Sequence, residues 1–316
     1  MVMFGNIGTF LFGALLLLLG IDALVKGITA GVARRASAGF AIVLAATALN
    51  ALLPAAFVAG AAAWRGQPAL ALGSIVGGAV AQLGLALGLA AVIAPLVVRL
   101  KVFAQINPAL LIAIVLVAAL AFDRHIDSLD GAILLAAFAV VVIVVVRTAR
   151  SERVAARALF SETLPNVAVP LLLVRMAVGV ALAGYGSWCL VAGSIGMAGQ
   201  AGWNPMIVGL LALGAVTALA GAPAAISNAR RGRGDFAVGQ ALLGALCNLL
   251  LLLGAYALWQ PLAPALVRFE LPALFALALA VYPMMRSDGE LSRREGLVLL
   301  GAYALFIIAE LWLTSA

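Results

Sequence analysis

Charge is scarce in this 316-residue chain. Asp, Glu, Lys and Arg make up 10% of it, against about 25% in an ordinary soluble domain, so a water-facing surface of normal size cannot be built. Histidine occurs once, as His125 in a charged turn, which leaves no imidazole for a metal cluster or a buried general base. The two cysteines, Cys189 and Cys247, both fall inside apolar runs. Two small core residues are expected there, with no disulfide framework. A glycine-rich phosphate-cradling loop is absent, as is any nucleophile placed beside a base, so the sequence points away from an enzyme and toward no cofactor.

In place of charge there is hydrocarbon. Hydrophobic residues make up 66% of the chain and the mean hydropathy is +1.21. Apolar runs of membrane-spanning length succeed one another from Phe10 to Leu313, with only short charged or Pro/Gly-bearing loops between them. The first run reaches Arg34 and Arg35 without a small-residue cleavage site, so a retained first helix is expected rather than a removed signal peptide.

The runs predict an all-α, polytopic membrane protein with spans at about 5–30, 38–62, 69–98, 106–122, 129–147, 166–197, 204–229, 236–258, 270–285 and 296–314. Loops after odd-numbered spans hold fourteen Lys and Arg residues, from Arg34 to Arg294. Those after even-numbered spans hold only Arg65, Arg124 and Arg268. This alternation is the positive-inside pattern, and it predicts a multi-pass protein of the cell's inner (plasma) membrane with both termini outside the cytoplasm. The net charge of +7 is accounted for by these loops, so lipid rather than nucleic acid is the expected surroundings.

The chain repeats itself. A gap-free shift of 166 residues lays Leu24, Val25 and Gly27 on Leu190, Val191 and Gly193, and Arg65 and Gly66 on Arg231 and Gly232. It also lays Gly73, Gly88 and Pro95 on Gly239, Gly254 and Pro261. With a one- or two-residue adjustment, Pro108 meets Pro272, and Asp130 and Gly131 meet Glu295 and Gly296. Residues 1–147 therefore read as one five-helix repeat, 148–165 as a basic cytoplasmic linker and 166–316 as a second repeat. Five is odd, so the second copy enters the membrane from the opposite side and the repeats are inverted. Transporters of that symmetry bind substrate near the midplane where helices are interrupted, which here singles out Pro54 in the second helix and Gly221 and Pro223 in the seventh.

Around these residues the chain resembles the sodium/calcium exchanger membrane region of the calcium/cation antiporter superfamily. Gly20-Ile-Asp22-Ala-Leu-Val25-Lys-Gly27 is similar to that family's first-helix motif, and the stretch from Asp288 to Tyr303 is similar to its final loop and helix. The resemblance implies two segments of the form Gly-Thr-Ser-x-Pro-Glu, each followed by a Gly-Asn-rich segment, with the two glutamates holding the cation. This chain departs there. Asn50-Ala-Leu-Leu-Pro54-Ala55 carries alanine for the first glutamate, and its partner places Gly221 at the second without gaps, or Ala224 after Pro223 if a gap is allowed, so neither alignment yields an acid.

Neutral groups remain as candidate ion or substrate ligands: Asn50, Ser74 and Gln82 in the first repeat, Thr217, Gln240 and Asn248 in the second. A divalent ion stripped of water needs charge compensation that these cannot give. They suit a monovalent ion or a neutral solute, or simply join helices at about 1 kcal/mol each. Two functions follow as expectations. One is a secondary transporter with altered substrate; the other is a transport-inactive homologue serving as accessory subunit to a membrane-protein partner. Of the remaining charges, Asp22 is expected to pair with Lys26 one turn on, and Arg175 and Glu310 to reach water at their helix ends.

Overall fold

The structure, a computed structural model, describes residues 2–33, 40–98, 101–123, 125–151, 169–260, 262, 269–287 and 290–315. Ten helices account for nearly all of them: α1 Val2–Ala33, α2 Phe40–Trp64, α3 Pro68–Ile93, α4 Lys101–Leu120, α5 Ser128–Ser151, α6 Val169–Ala201, α7 Pro205–Arg230, α8 Gly234–Trp259, α9 Glu270–Ser287 and α10 Arg293–Ser315. Nine contain stretches long and apolar enough to cross a bilayer. The apolar part of α9, Glu270–Met285, is shorter, yet the 18 residues of the whole helix rise about 27 Å, close to the hydrocarbon thickness of about 30 Å. Most of the 148–165 linker lies outside the described residues.

The inverted repeat is visible in the smallest details. Gly66 and Gly232 both adopt positive φ, at 66° and 70°, and terminate α2 and α7 with matching hydrogen bonds. Gly66 N donates to Ala63 O and Gln67 N to Ala62 O; 166 residues on, Gly232 N donates to Ala229 O and Arg233 N to Asn228 O. A left-handed residue is needed to reverse the chain so tightly, and glycine adopts it without a Cβ penalty. A two-residue strand, β1 Leu96–Val97 after α3, pairs antiparallel with β2 Glu290–Leu291 before α10. Its counterpart is the bridge between Ile126, before α5, and Leu262, after α8.

Helix packing follows the same symmetry. In lipid there is little hydrophobic gain from helix contact, so close backbone approach through small residues carries much of the association. Gly13, Gly20 and Gly27 of α1 recur as Gly179, Gly186 and Gly193 of α6, and the two antiparallel helices meet along these heptad-spaced glycines. A Cβ on Gly186 would lie 2.5 Å from the Leu17 nitrogen, and one on Gly179 2.8 Å from the Leu24 nitrogen. In the body, α10 crosses α3 at Gly88 and Gly296 just as α5 crosses α8 at Gly254 and Gly131. Helices α3 and α8 are the most buried, with α2 and α7 against them. Exposed Trp64, Trp203, Trp259 and Trp312 all stand at the end of the bundle opposite the α7–α8 turn, the headgroup-level position such rings favour.

The expected interruptions at Pro54, Gly221 and Pro223 are not breaks. Helices α2 and α7 run through both prolines. What each proline removes is one hydrogen bond to the residue four back. The irregularity instead takes the form of π turns, at Gln82–Ala86 in α3, Gly209–Leu213 in α7 and Cys247–Leu252 in α8. Each inserts an extra residue into a turn and leaves a carbonyl without its usual partner, a feature frequent at functional positions.

Candidate functional site

All six neutral candidates are buried: Asn50, Ser74, Gln82, Thr217, Gln240 and Asn248. Two of them lie in π turns at pseudo-symmetric positions, Gln82 as the first residue of that in α3 and Asn248 as the second residue of that in α8. Their neighbours are also symmetric. The Gln82 oxygen lies against Gly244, and the Asn248 amide nitrogen lies against Gly78, where a Cβ would come within 2.8 Å of it. Both glycines open the space that the opposing amide fills.

The amide nitrogens are engaged on backbone carbonyls. Gln82 Nε2 donates to Ala51 O at 3.1 Å, Gln240 Nε2 to Gly221 O at 2.8 Å, and Asn248 Nδ2 to Ile75 O at 3.2 Å. Turning any of these amides over would set two oxygens face to face, so the orientation follows from the contact. The first two bonds fall within three residues of Pro54 and Pro223, and tie α3 to α2 and α8 to α7 beside the points where the prolines weaken each helix. The third joins the two repeats. Ser74 and Thr217 donate within their own helices, to Ala71 O and Gly214 O at 2.8 and 2.9 Å.

On Gln82 and Asn248 what remains unengaged is oxygen, whereas both side-chain polar atoms of the fully buried Asn107 in α4, the amide nitrogen included, have no partner. Gln82 Oε1 and Asn248 Oδ1 are buried without a hydrogen-bond partner, and the Thr217 hydroxyl keeps acceptor capacity while it donates. A small cleft of about 10 Å³, room for about one water molecule, lies between α2, α3, α7 and α8 and is lined by Ala51, Gln82, Ala86, Leu87, Thr217, Ala218, Gly221, Ala225, Ala237, Gln240 and Ala241. It unites Gln82, Thr217, Gln240 and Gly221. Asn50, Ser74 and Asn248 do not line it, nor do Pro54, Ala55 or Pro223. The position of one lost acid, Gly221, faces the cleft; the other, Ala55, is fully buried in packing. A side chain at Gly221 would begin 2.8 Å from Gln240 Nε2 and 3.8 Å from the Asn50 carbonyl, which Pro54 leaves without its helical donor.

Among the described residues there is no group of three or more His, Cys, Asp or Glu that could hold a metal. Lys26 Nζ donates to Asp22 Oδ2 at 2.6 Å, as expected from their spacing. Glu310 corrects the sequence reading: it is 5% exposed, packed near the equally buried Glu270 at the start of α9, and does not reach water. Cys189 and Cys247 are buried and unlinked. Hydropathy could not have found the alanines of the cleft or its π turns. Their only trace is that Ala86, Ala218 and Ala241 are smaller than their repeat mates Leu252, Leu52 and Ile75.

Ten helices in two inverted halves, crossing at a small, mostly apolar cleft with three polar side chains, define the architecture of a secondary-transporter membrane domain. The chain belongs to the sodium/calcium exchanger protein family, whose model matches residues 5–147 and 171–312. It is 33% identical over 133 residues to the putative antiporter CaxA of Alkalimonas amylolytica, a match that covers 42% of this chain and 41% of that relative. It is 25% identical over 271 residues to the inner membrane protein YrbG of Escherichia coli K12, covering 83% of each. In fold it is similar to the sodium/calcium exchanger of Methanococcus jannaschii, with a TM-score of 0.68 at 23% identity over 98% of both chains. A structure of NCX_Mj soaked with Na+ and Sr2+ gives 0.70 at 22% identity over 98% of this chain and 99% of that one.

Proposed function

We propose that this chain is a secondary membrane transporter in which the cleft between α2, α3, α7 and α8 binds a cation of low charge through neutral oxygens. In this reading it spans the cell's inner membrane, with both termini on the non-cytoplasmic side and the 148–165 linker joining the two repeats in the cytoplasm. The supporting observation is that the Gln82 and Gln240 amide nitrogens are engaged on backbone carbonyls while the acceptor Gln82 Oε1, buried against Gly244, has no hydrogen-bond partner. In a lining that is otherwise mostly alanine, acceptor oxygens on Gln82 and Thr217 suit a cation better than an anion. Dipolar oxygens alone can replace the water around a monovalent ion, whereas Ca2+ demands six to eight oxygens and, in practice, carboxylates among them. The lining offers none.

The purified protein in detergent is expected to gain thermal stability with Na+ or K+ in the millimolar range and to gain none with Ca2+ at constant ionic strength. Stabilisation by Ca2+ at micromolar concentration would reject the assignment of charge class.

A second reading has its own support. Loss of the family acids at Ala55 and Gly221, in a cleft that small residues barely hold open, suits a homologue that no longer transports and serves as an accessory subunit. Native purification under mild detergent distinguishes the two. A stoichiometric membrane-protein partner, together with no cation-dependent shift, favours the accessory role.

A further inference from the structure

The two helix turns that share their hydrogen bonds differ in their charges. In the α7–α8 turn, Arg231 and Arg233 are followed by Asp235 in the first turn of α8, where it is 3% exposed. The α2–α3 turn keeps the first arginine, as Arg65, but has Gln67 and Ala69 in the other two places. The first turn of α3 carries no acid. One turn thus brings its own negative charge and the other does not.

Arg65 also stands on the side of the membrane where cations are few. It is one of three Lys and Arg residues in the loops after even-numbered spans, against fourteen in the others, so the orienting role of loop charge does not account for it. Its neighbour Trp64 is 78% exposed, at the end of the bundle where the tryptophans gather. An arginine near the bilayer is costly and is kept where a partner neutralises it. Among the described residues the single ion pair joins Lys26 to Asp22, and Arg65 has no carboxylate within 4.0 Å.

What Arg65 has instead is an indole. Its guanidinium lies 3.8 Å from the centre of the Trp188 ring of α6. The repeat mate of Trp188 is Asp22, so an aromatic face stands where the other half has a carboxylate. Stacking engages the flat face of the guanidinium and fixes its plane, while its N–H groups lie in that plane and are left for an acceptor. Arg65 Nε is buried and has no hydrogen-bond partner. Trp188 is 41% exposed and Tyr185, one turn before it, 60%, so the stacked pair lies at the surface of the bundle.

We propose that Arg65, held against Trp188, binds the phosphate of an anionic phospholipid in the leaflet at the α2–α3 turn. The headgroup supplies the negative charge that Asp235 brings to the matching turn. A guanidinium with its plane fixed can take two phosphate oxygens at once. A zwitterionic headgroup carries its own ammonium and balances the arginine less well. The site joins a turn of the first repeat to a helix of the second, and neither residue lines the cleft, so the proposal is independent of the cation site.

The test is quenching of tryptophan fluorescence by brominated lipid in bilayers holding the full chain. With Trp64→Phe, Trp203→Phe, Trp259→Phe and Trp312→Phe as background, Trp188 is the sole indole. Dibromo phosphatidylglycerol is expected to associate at Trp188 about fivefold more strongly than dibromo phosphatidylcholine. Arg65→Gln should abolish the preference, and Arg65→Lys, which keeps the charge without the planar fork, should retain part of it. Equal quenching by the two lipids with Arg65 in place, or a preference that survives Arg65→Gln, would overturn the proposal. Loss of the preference on adding millimolar inorganic phosphate at constant ionic strength would overturn it too, by assigning the site to free phosphate. If the four tryptophan substitutions together prevent folding, native mass spectrometry of the chain with its tryptophans intact decides. Arg65→Gln should then retain fewer phosphatidylglycerol molecules than the unaltered protein after the same detergent wash, and equal retention would count against the site.

Discussion

The two halves agree at their turns and differ at their centres. The α2–α3 and α7–α8 turns share three equivalent backbone hydrogen bonds, each repeat has a strand clasp or bridge, and Gly88 with Gly296 is matched by Gly254 with Gly131. In the middle of the bundle the mates part: Gln82 faces Asn248, Ser74 corresponds to Gln240, Ala51 to Thr217. The difference teaches where geometry is obligatory. A left-handed turn or a backbone crossing has one solution, glycine, while a polar lining can be redistributed so long as every donor finds an acceptor.

The largest expected effect tests the shared part. Gly20→Leu and Gly186→Leu each drive a side chain into the facing backbone across α1 and α6. Each should destabilise the protein by about 3 kcal/mol or more, read as lost monodisperse protein in detergent. If either mate tolerates leucine while the other does not, the repeat symmetry of that crossing is broken.

The next effects test the part that differs. Gln240→Leu removes the second hydrogen bond to the Gly221 carbonyl and Gln82→Leu that to the Ala51 carbonyl, each at a cost of about 0.5–1.5 kcal/mol in stability because the helical bond remains. Gln82→Leu also removes the unpaired oxygen, so it should abolish the thermal shift with Na+; Ser74→Ala, off the cleft, should preserve it. The double variant Ala55→Glu with Gly221→Glu restores two carboxylates and should create Ca2+-dependent stabilisation once Gln240 is displaced. Unchanged behaviour toward Ca2+ would mean that the pocket as well as its charge has been lost. The smallest effect falls on an exposed pair found in one repeat alone. Asp22→Ala breaks a half-exposed i,i+4 pair with no counterpart at Trp188 and should cost no more than about 0.5 kcal/mol.

Helix number, direction and repeat were legible because lipid demands long apolar runs and the repeat punctuates them with Arg, Pro and Gly that have no neutral substitutes. All ten helices overlap their expected spans; the third ends five residues early, at Ile93, where Pro95 opens the strand clasp, and the fourth begins five residues early, at Lys101. The centre was legible only in part. The polar residues announced themselves, and all six are buried. Which of them share a space depends on π turns that no residue type marks, and on alanines whose meaning emerges only when each is set beside its mate. Pro54 and Pro223 were visible as potential breaks, yet buried helices absorb a proline when Gln82 and Gln240 support neighbouring carbonyls. Glu310 looked like a residue at the water's edge because sequence position does not reveal what packs over it.

The neutral-oxygen cleft is tested most directly by ion flux in proteoliposomes holding the purified chain, with Na+, K+, H+ or Ca2+ gradients imposed in turn and Gln82→Leu as control. Monovalent-cation flux that needs Gln82, with no Ca2+ uptake, is the predicted result. Na+-driven Ca2+ uptake that survives Gln82→Leu would contradict it.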